Sequence, residues 1–118
     1  MSPGSAECLF CRIAARTLKA DIVAEENGFL AFRDLNPQAP THLLIIPTEH
    51  IASLDETTTA QTPLLGGALR FAARLARQVG LTPDGYRVVV NCGPQAGQSV
   101  FHLHVHLLGG RPMRWPPG

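Results

Sequence analysis

The chain has 118 residues, 45% of them hydrophobic, and a formal net charge of +1. That is one domain of ordinary size with enough apolar material for a core, and so even a charge balance excludes a broad basic field for a nucleic-acid backbone. No apolar run approaches the ~20 residues of a membrane span, and Met1-Ser2-Pro3-Gly4-Ser5 has neither the cationic start nor the apolar centre of a secretory signal.

Cys8 to Arg16 reads as a short helix with Leu9, Ile13 and Ala14 inward. Its Cys8-x-x-Cys11 pair, with Cys92 as a third cysteine, suits a reducing compartment better than a disulfide framework, so a cytoplasmic protein is expected. Thiolates at this spacing can face one tetrahedral ion, which then needs two more ligands. A redox pair would follow a strand, and no strand precedes these cysteines; the remaining alternative is two small buried side chains.

Asp21 to Glu25 and Gly28 to Arg33 read as strands joined by an Asn27-Gly28 hairpin turn. Asp34 to Pro40 is a loop punctuated by prolines, and His42 to Pro47 is an apolar run suited to a buried central strand. Thr62-Pro63 predicts an N-cap followed by proline at the first helical position. Leu65, Leu69, Ala72, Leu75, Ala76 and Val79 then form an apolar stripe that Arg70, Arg74 and Arg77 avoid, and Gly80 is the expected stop. Pro83-Asp84-Gly85 is a turn. Tyr86 to Asn91 and Val100 to Leu108 are the last strands. Short connections between paired strands imply an α+β fold with a mostly antiparallel sheet.

The last strand carries the chemistry. His102, His104 and His106 recur at spacing two, so on a strand they share one face, opposite Phe101, Leu103, Val105 and Leu107. Three adjacent imidazoles can serve as nucleophile, acid, base or metal ligand near neutral pH. The preceding loop, Gly93-Pro94-Gln95-Ala96-Gly97-Gln98-Ser99, lacks the lysine of an NTPase phosphate loop but has glycines and a hydroxyl suited to cradling an anion. Taken alone, it is also an ordinary hairpin connection.

His102-Leu103-His104-Val105-His106-Leu107-Leu108 resembles the signature of the histidine-triad (HIT) superfamily of nucleotide hydrolases and transferases. The likeness extends through Leu35-Asn36-Pro37-Gln38-Ala39-Pro40-Thr41-His42 and Gly97-Gln98-Ser99-Val100-Phe101-His102 to the tail Gly109-Gly110-Arg111-Pro112-Met113 with Trp115-Pro116-Pro117-Gly118, which resembles the Hint branch. The resemblance implies a single HIT domain over residues 1–118, with a five-stranded sheet, one long and one short helix, and a homodimer whose 108–118 tail reaches the partner's site.

It further implies a purine nucleoside phosphoramidase that works through a nucleotidyl-histidine intermediate. His104 matches the nucleophile, His106 the phosphate and leaving-group contact, and His42 and His102 the supporting histidines. Ser99, Asn91 and Gly97 match phosphate and leaving-group contacts, and Asp34 the ribose-binding acid. Phe10, Ile13, Leu18, Phe32 and Leu35 match the slot for a purine base, with Trp115 supplied by the tail. Catalysis would need no cofactor, while Cys8, Cys11, His50 and His102 match a structural zinc site found in some relatives. A nucleotide-binding regulatory module and a zinc-binding structural domain are the other readings.

Overall fold

Strand β3 (Thr41–Pro47) is buried almost end to end, and the fold is built outward from it. The computed structural model describes residues 7–118; the Met1–Ser5 segment lies outside the described residues. Helix α1 (Leu9–Ala14) is followed by β1 (Ile22–Glu26), β2 (Phe29–Arg33) and β3, then by helix α2 (Thr62–Gln78), β4 (Tyr86–Val89) and β5 (Val105–Gly109). The five strands form one sheet in the order β1-β2-β3-β5-β4, with every neighbouring pair antiparallel. No described helix is long and apolar enough to cross a membrane.

The Asn27-Gly28 turn is as the sequence predicts. Both residues have positive φ, 51° and 81°, and Glu26 pairs directly with Phe29. Two consecutive left-handed residues match the twist of the flanking strands, and asparagine and glycine pay least for that conformation. The continuous apolar run of β3 has an equally direct cause. Leu43 and Ile45 join the cluster under α2, whereas Leu44 and Ile46 join the cluster under α1 on the opposite face. A central strand covered on both faces has no solvent side to mark with polar residues.

Helix α2 ends in a Schellman cap: Leu81 N–H bonds to Ala76 O, Gly80 N–H bonds to Arg77 O, and Gly80 has φ 82°. Its start differs from expectation, and its buried face does so in part: Ala72, Leu75 and Ala76 are buried as expected, whereas Leu69 and Val79 are not. Thr62 is the first helical residue rather than the cap. The capping box lies upstream, where Thr58 and Gln61 close the 3-10 turn Thr59–Gln61. The buried stripe is Ala68, Phe71, Ala72, Leu75 and Ala76, while Leu69 is 52% exposed and Val79 is also exposed. Two apolar series compete on this helix. The one containing Phe71 wins because it buries the largest side chain and lets small alanines approach the sheet. Leu65 and Leu69 border a shallow apolar groove with Leu54 and Val90. In α1 the same rotation occurs: Phe10 and Ile13 are buried and Leu9 is exposed.

The triad segment departs most from expectation. β5 begins at Val105, so His102 and His104 precede the strand. The β3–β5 ladder ends with Ile45 opposite Val105. Continuing it would bring Leu103 opposite Pro47, which has no N–H to donate. Leu103 N–H bonds instead to Ile51 O at 2.7 Å. Leu103, Val105 and Leu107 keep their inward positions, but Phe101 is 55% exposed rather than core.

Candidate active site

The five histidines fall into two clusters, and hydrogen bonds to the backbone determine the tautomers within them. A carbonyl oxygen can only accept, and an amide N–H can only donate. His104 Nδ1 lies 2.7 Å from His102 O, so Nδ1 carries the proton and Nε2 keeps its lone pair. His42 Nδ1 accepts from Gln38 N–H at 3.0 Å, so the proton of neutral His42 sits on Nε2. That proton faces His106 Nδ1 at 2.9 Å, with Asp34 Oδ2 at 3.4 Å from the same nitrogen. His106 Nδ1 is then the acceptor, and His106 Nε2–H is the donor left over. The result is two neighbouring rings, 5.0 Å apart between centroids, with complementary capacities: a nucleophilic nitrogen on His104 and a donor on His106.

Burial is the main influence on the titration of these rings. It lowers the pKa of His104 below the usual imidazole value, against the His102 carbonyl bond and the Asp34 charge. His106 is pushed down to about 4, first by burial and then by the neighbouring histidines, with Asp34 opposing. His42 is lowered by burial and partly restored by Asp34. The imidazoles are therefore neutral at neutral pH, the state in which a ring can attack.

His104 and His106 open onto a cavity of about 300 Å³. Its apolar walls include Phe10, Ile13, Leu18 and Phe32, and its rim includes Asp34, Leu35 and Ser99. Phe10 stands edge-on to both Phe32 and His104, which joins the slot to the histidines. Leu35, 98% exposed, is a rim residue with its side chain in solvent. Asp34 also closes its own loop, because Oδ1 accepts from Asn36 N–H at 2.8 Å. Asn91, Gly97 and Trp115 do not line this cavity, and Trp115 is 82% exposed.

The glycine loop is not an open cradle. The N–H groups of Ala96, Gly97 and Gln98 bond within the loop, and Gly93 N–H bonds to the Gln98 side chain. The positive φ of Gly93 and Gly97 serves this folded turn. Ser99, at the loop's end, lines the cavity, and its hydroxyl is not engaged by the loop. Buried Gln98 organises the loop: its Oε1 holds Gly93, and its Nε2 donates to Ala52 O and Val100 O. Nothing in the motif spacing assigns Gln98 a role. Its signal is a long amide between small residues, which can satisfy several backbone groups at once.

The second cluster joins His102 to the cysteines. His102 is fully buried, and its Nε2–H donates to Pro47 O at 2.8 Å. Its Nδ1 lone pair then faces Cys8 Sγ at 3.3 Å, Cys11 Sγ at 3.5 Å and His50 Nδ1 at 3.2 Å; Cys11 Sγ lies 3.2 Å from His50 Nδ1. A tetrahedral zinc ion spaces such ligand atoms roughly 3.3–3.8 Å apart. A second nitrogen bonded to a carbonyl is the usual support of a metal-ligating histidine. The donor set therefore fits zinc. Asp34, His42 and His106 also converge, but Gln38 keeps the proton on His42 Nε2, so that group is arranged as a proton-sharing network instead.

The HIT domain family model matches residues 15–113. A 14 kDa zinc-binding protein of Zea mays is 49% identical over 112 residues, covering 93% of this chain and 87% of that one. The crystal structure of a HIT family hydrolase from Legionella pneumophila Philadelphia 1 superposes with a TM-score of 0.93 at 51% identity, covering 95% of this chain and 100% of that one. A Zn-bound histidine triad family protein from Mycobacterium smegmatis superposes at 0.77 with 32% identity, covering 92% and 78% of the two chains.

The depressed pKa of His106 has a consequence for stability. The unfolded chain takes up this proton near the ordinary value of 6.5, whereas the folded chain does so only near 4. Stability that is full above about pH 6.5 therefore falls as the pH drops toward 4. NMR titration of the ring should give a midpoint near 4. Urea unfolding should show a shallower loss across this window for His106→Asn; an unchanged slope would refute the assignment.

Proposed function

The chain belongs to the HIT-domain family, and from that premise we propose that it is a Hint-branch hydrolase of purine nucleoside 5′-phosphoramidates. The observation that carries this reading is the pair of opposed tautomers, a free Nε2 lone pair on His104 beside a free Nε2–H on His106. In this mechanism the apolar slot grips the base, Asp34 receives the ribose hydroxyls, and Ser99 donates to the phosphate.

His104 Nε2 attacks the α-phosphorus and forms a P–N bond. The P–N bond to the protonated leaving nitrogen breaks, and the neutral amine departs with the electron pair. His106 Nε2–H donates to the phosphoryl oxygen that gains charge. Water then attacks phosphorus, and the P–Nε2 bond breaks to restore neutral His104. The surplus proton passes to the amine or to bulk water. Covalent catalysis of this kind divides one difficult displacement into two easier ones.

Acid-quenched intact-mass analysis with adenosine 5′-phosphoramidate should show a transient adenylyl adduct on His104, and His104→Ala should lower kcat by about a thousandfold or more. A folded protein that binds AMP but shows neither turnover nor adduct would favour a nucleotide-binding module.

In the same reading Cys8, Cys11, His50 and His102 hold a structural zinc ion, supported by the donor geometry and by the zinc-binding relatives. The ion, its charge balanced by the two thiolates, would supply a rigid anchor for His102. The purified protein should carry about one zinc per chain and Cys11→Ser essentially none, with a lower melting temperature; wild-type protein purified without zinc and melting identically in chelator would remove the metal from the reading.

A homodimer completes the proposal. β4 is the last strand of the sheet, and the groove bordered by Leu54, Leu65, Leu69 and Val90 offers an adjoining apolar surface. Light scattering should give a mass of two chains. Leu69→Glu should give a folded monomer with red-shifted Trp115 emission, since Leu69 is already half exposed in the single chain and the tail would lose its partner. A monomeric wild type would overturn this part.

A further inference from the structure

Most of the cavity wall is apolar and grips any base by area alone, with little power to tell one purine from another. Two cationic side chains line it, Lys19 and Arg33. Arg33 is already paired with Asp21 at 3.3 Å. Among the described residues the Lys19 ammonium has no ion-pair or hydrogen-bond partner, while Leu18 and Ala20 on either side pack into the cluster under α1.

The sheet order tells where along the cavity Lys19 lies. His106 is on β5, Asp34 follows β2, and Lys19 comes just ahead of β1. From β5 across β3 and β2 to β1 is three strand spacings, about 14 Å. A mononucleotide laid across this face with its phosphate at His104 and its ribose at Asp34 points its base toward β1. The ribose holds the five-membered ring of a purine, so the six-membered ring leads, and the edge that carries positions 1 and 6 is turned to the end of the cavity that Lys19 lines.

We propose that Lys19 is a specificity-determining residue that makes this pocket select 6-oxopurine nucleotides, those of guanine and hypoxanthine, over adenine nucleotides. An ammonium has three donors and no acceptor. Guanine and hypoxanthine carry an acceptor oxygen at position 6, whereas adenine carries a donor amine there. N7 is an acceptor in all three and does not discriminate; N1 is an acceptor in adenine alone, so the preference for 6-oxopurines is that of an ammonium seated on the position-6 oxygen rather than on N1. The ammonium's attraction for the phosphate is common to all three nucleotides and cancels in their ratio. This inference rests on the nucleotide-binding part of the proposed function and identifies the base.

The test is equilibrium binding of GMP, IMP and AMP to the whole protein, measured by calorimetry. GMP and IMP should bind about tenfold more tightly than AMP, the scale of one charged hydrogen bond discounted for solvent exposure. Lys19→Ala should bring the ratio to about one, and Lys19→Arg, which keeps the donors, should preserve most of it. Inclusion of IMP separates the position-6 oxygen from the guanine 2-amino group: a preference for GMP that IMP does not share overturns the proposal. Equal affinity for GMP and AMP, or a guanine preference that survives Lys19→Ala, also overturns it while leaving the nucleotide pocket intact. Failure of the folded protein to bind any of the three removes both the pocket reading and this proposal.

Discussion

His102 is the residue on which the site depends. Its Nε2–H is fixed on the Pro47 carbonyl, its Nδ1 faces two thiols and His50, and its own carbonyl holds His104 Nδ1–H. One side chain and one peptide group thus join the cysteine cluster to the ring with the nucleophilic nitrogen. Each contact constrains the next. The Pro47 bond dictates which nitrogen faces the thiols, and the ring's fixed position sets where the carbonyl lies under His104. The complete burial of so polar a residue is tolerable because both ring nitrogens and its carbonyl oxygen are matched.

The sheet puts this arrangement where it can operate. β3 and β4 run parallel with β5 between them, so α2 crosses one face as the connection and leaves the other face to α1 and the cavity. The β4-to-β5 connection must then return alongside the end of β3, where Pro47 ends the regular pairing. The triad begins there. Released from the ladder, the 100–104 segment can spend its backbone groups on Ile51 and on the His104 ring rather than on a neighbouring strand. Gln98 compensates for the lost regularity by tying both arms of the loop to the chain after β3.

The difference between what the residues announced and what they concealed follows the kind of interaction involved. The Asn27-Gly28 turn, the apolar run of β3 and the Gly80 cap were legible because local conformational preference and burial act in the same direction there. The face of α2 was legible in part: Ala72, Leu75 and Ala76 are buried as their spacing implies, but Leu65 with Leu69 and Ala68 with Phe71 are both acceptable helical series, and only the sheet arbitrates between them. Spacing two correctly flagged the histidines as a set but assigned them one face of a strand. It could not register that Pro47 removes the partner that a strand at Leu103 would need. The glycine loop misled for a related reason: glycine reports that unusual backbone is allowed, not whether the N–H groups so exposed are already taken. The groups that set the tautomers, Gln38 N–H, Pro47 O and His102 O, belong to the backbone and leave no trace in side-chain identity.

The same backbone groups separate the two convergent clusters by the chemistry available to each. At His102 the carbonyl takes the proton-bearing nitrogen, so a lone pair faces sulfur and a cation can be held. At His42 an amide takes the lone pair, so a proton faces His106 and Asp34, and a cation there would have to displace it. Proximity alone would make both groups metal sites. Donor direction keeps a metal-competent cluster and a proton-sharing network side by side without exchanging their roles. That separation suits the neutral imidazoles produced by burial: a cation among them would occupy the lone pair that the proposed attack uses, whereas a cation beyond His102 can stiffen the frame and leave His104 Nε2 free.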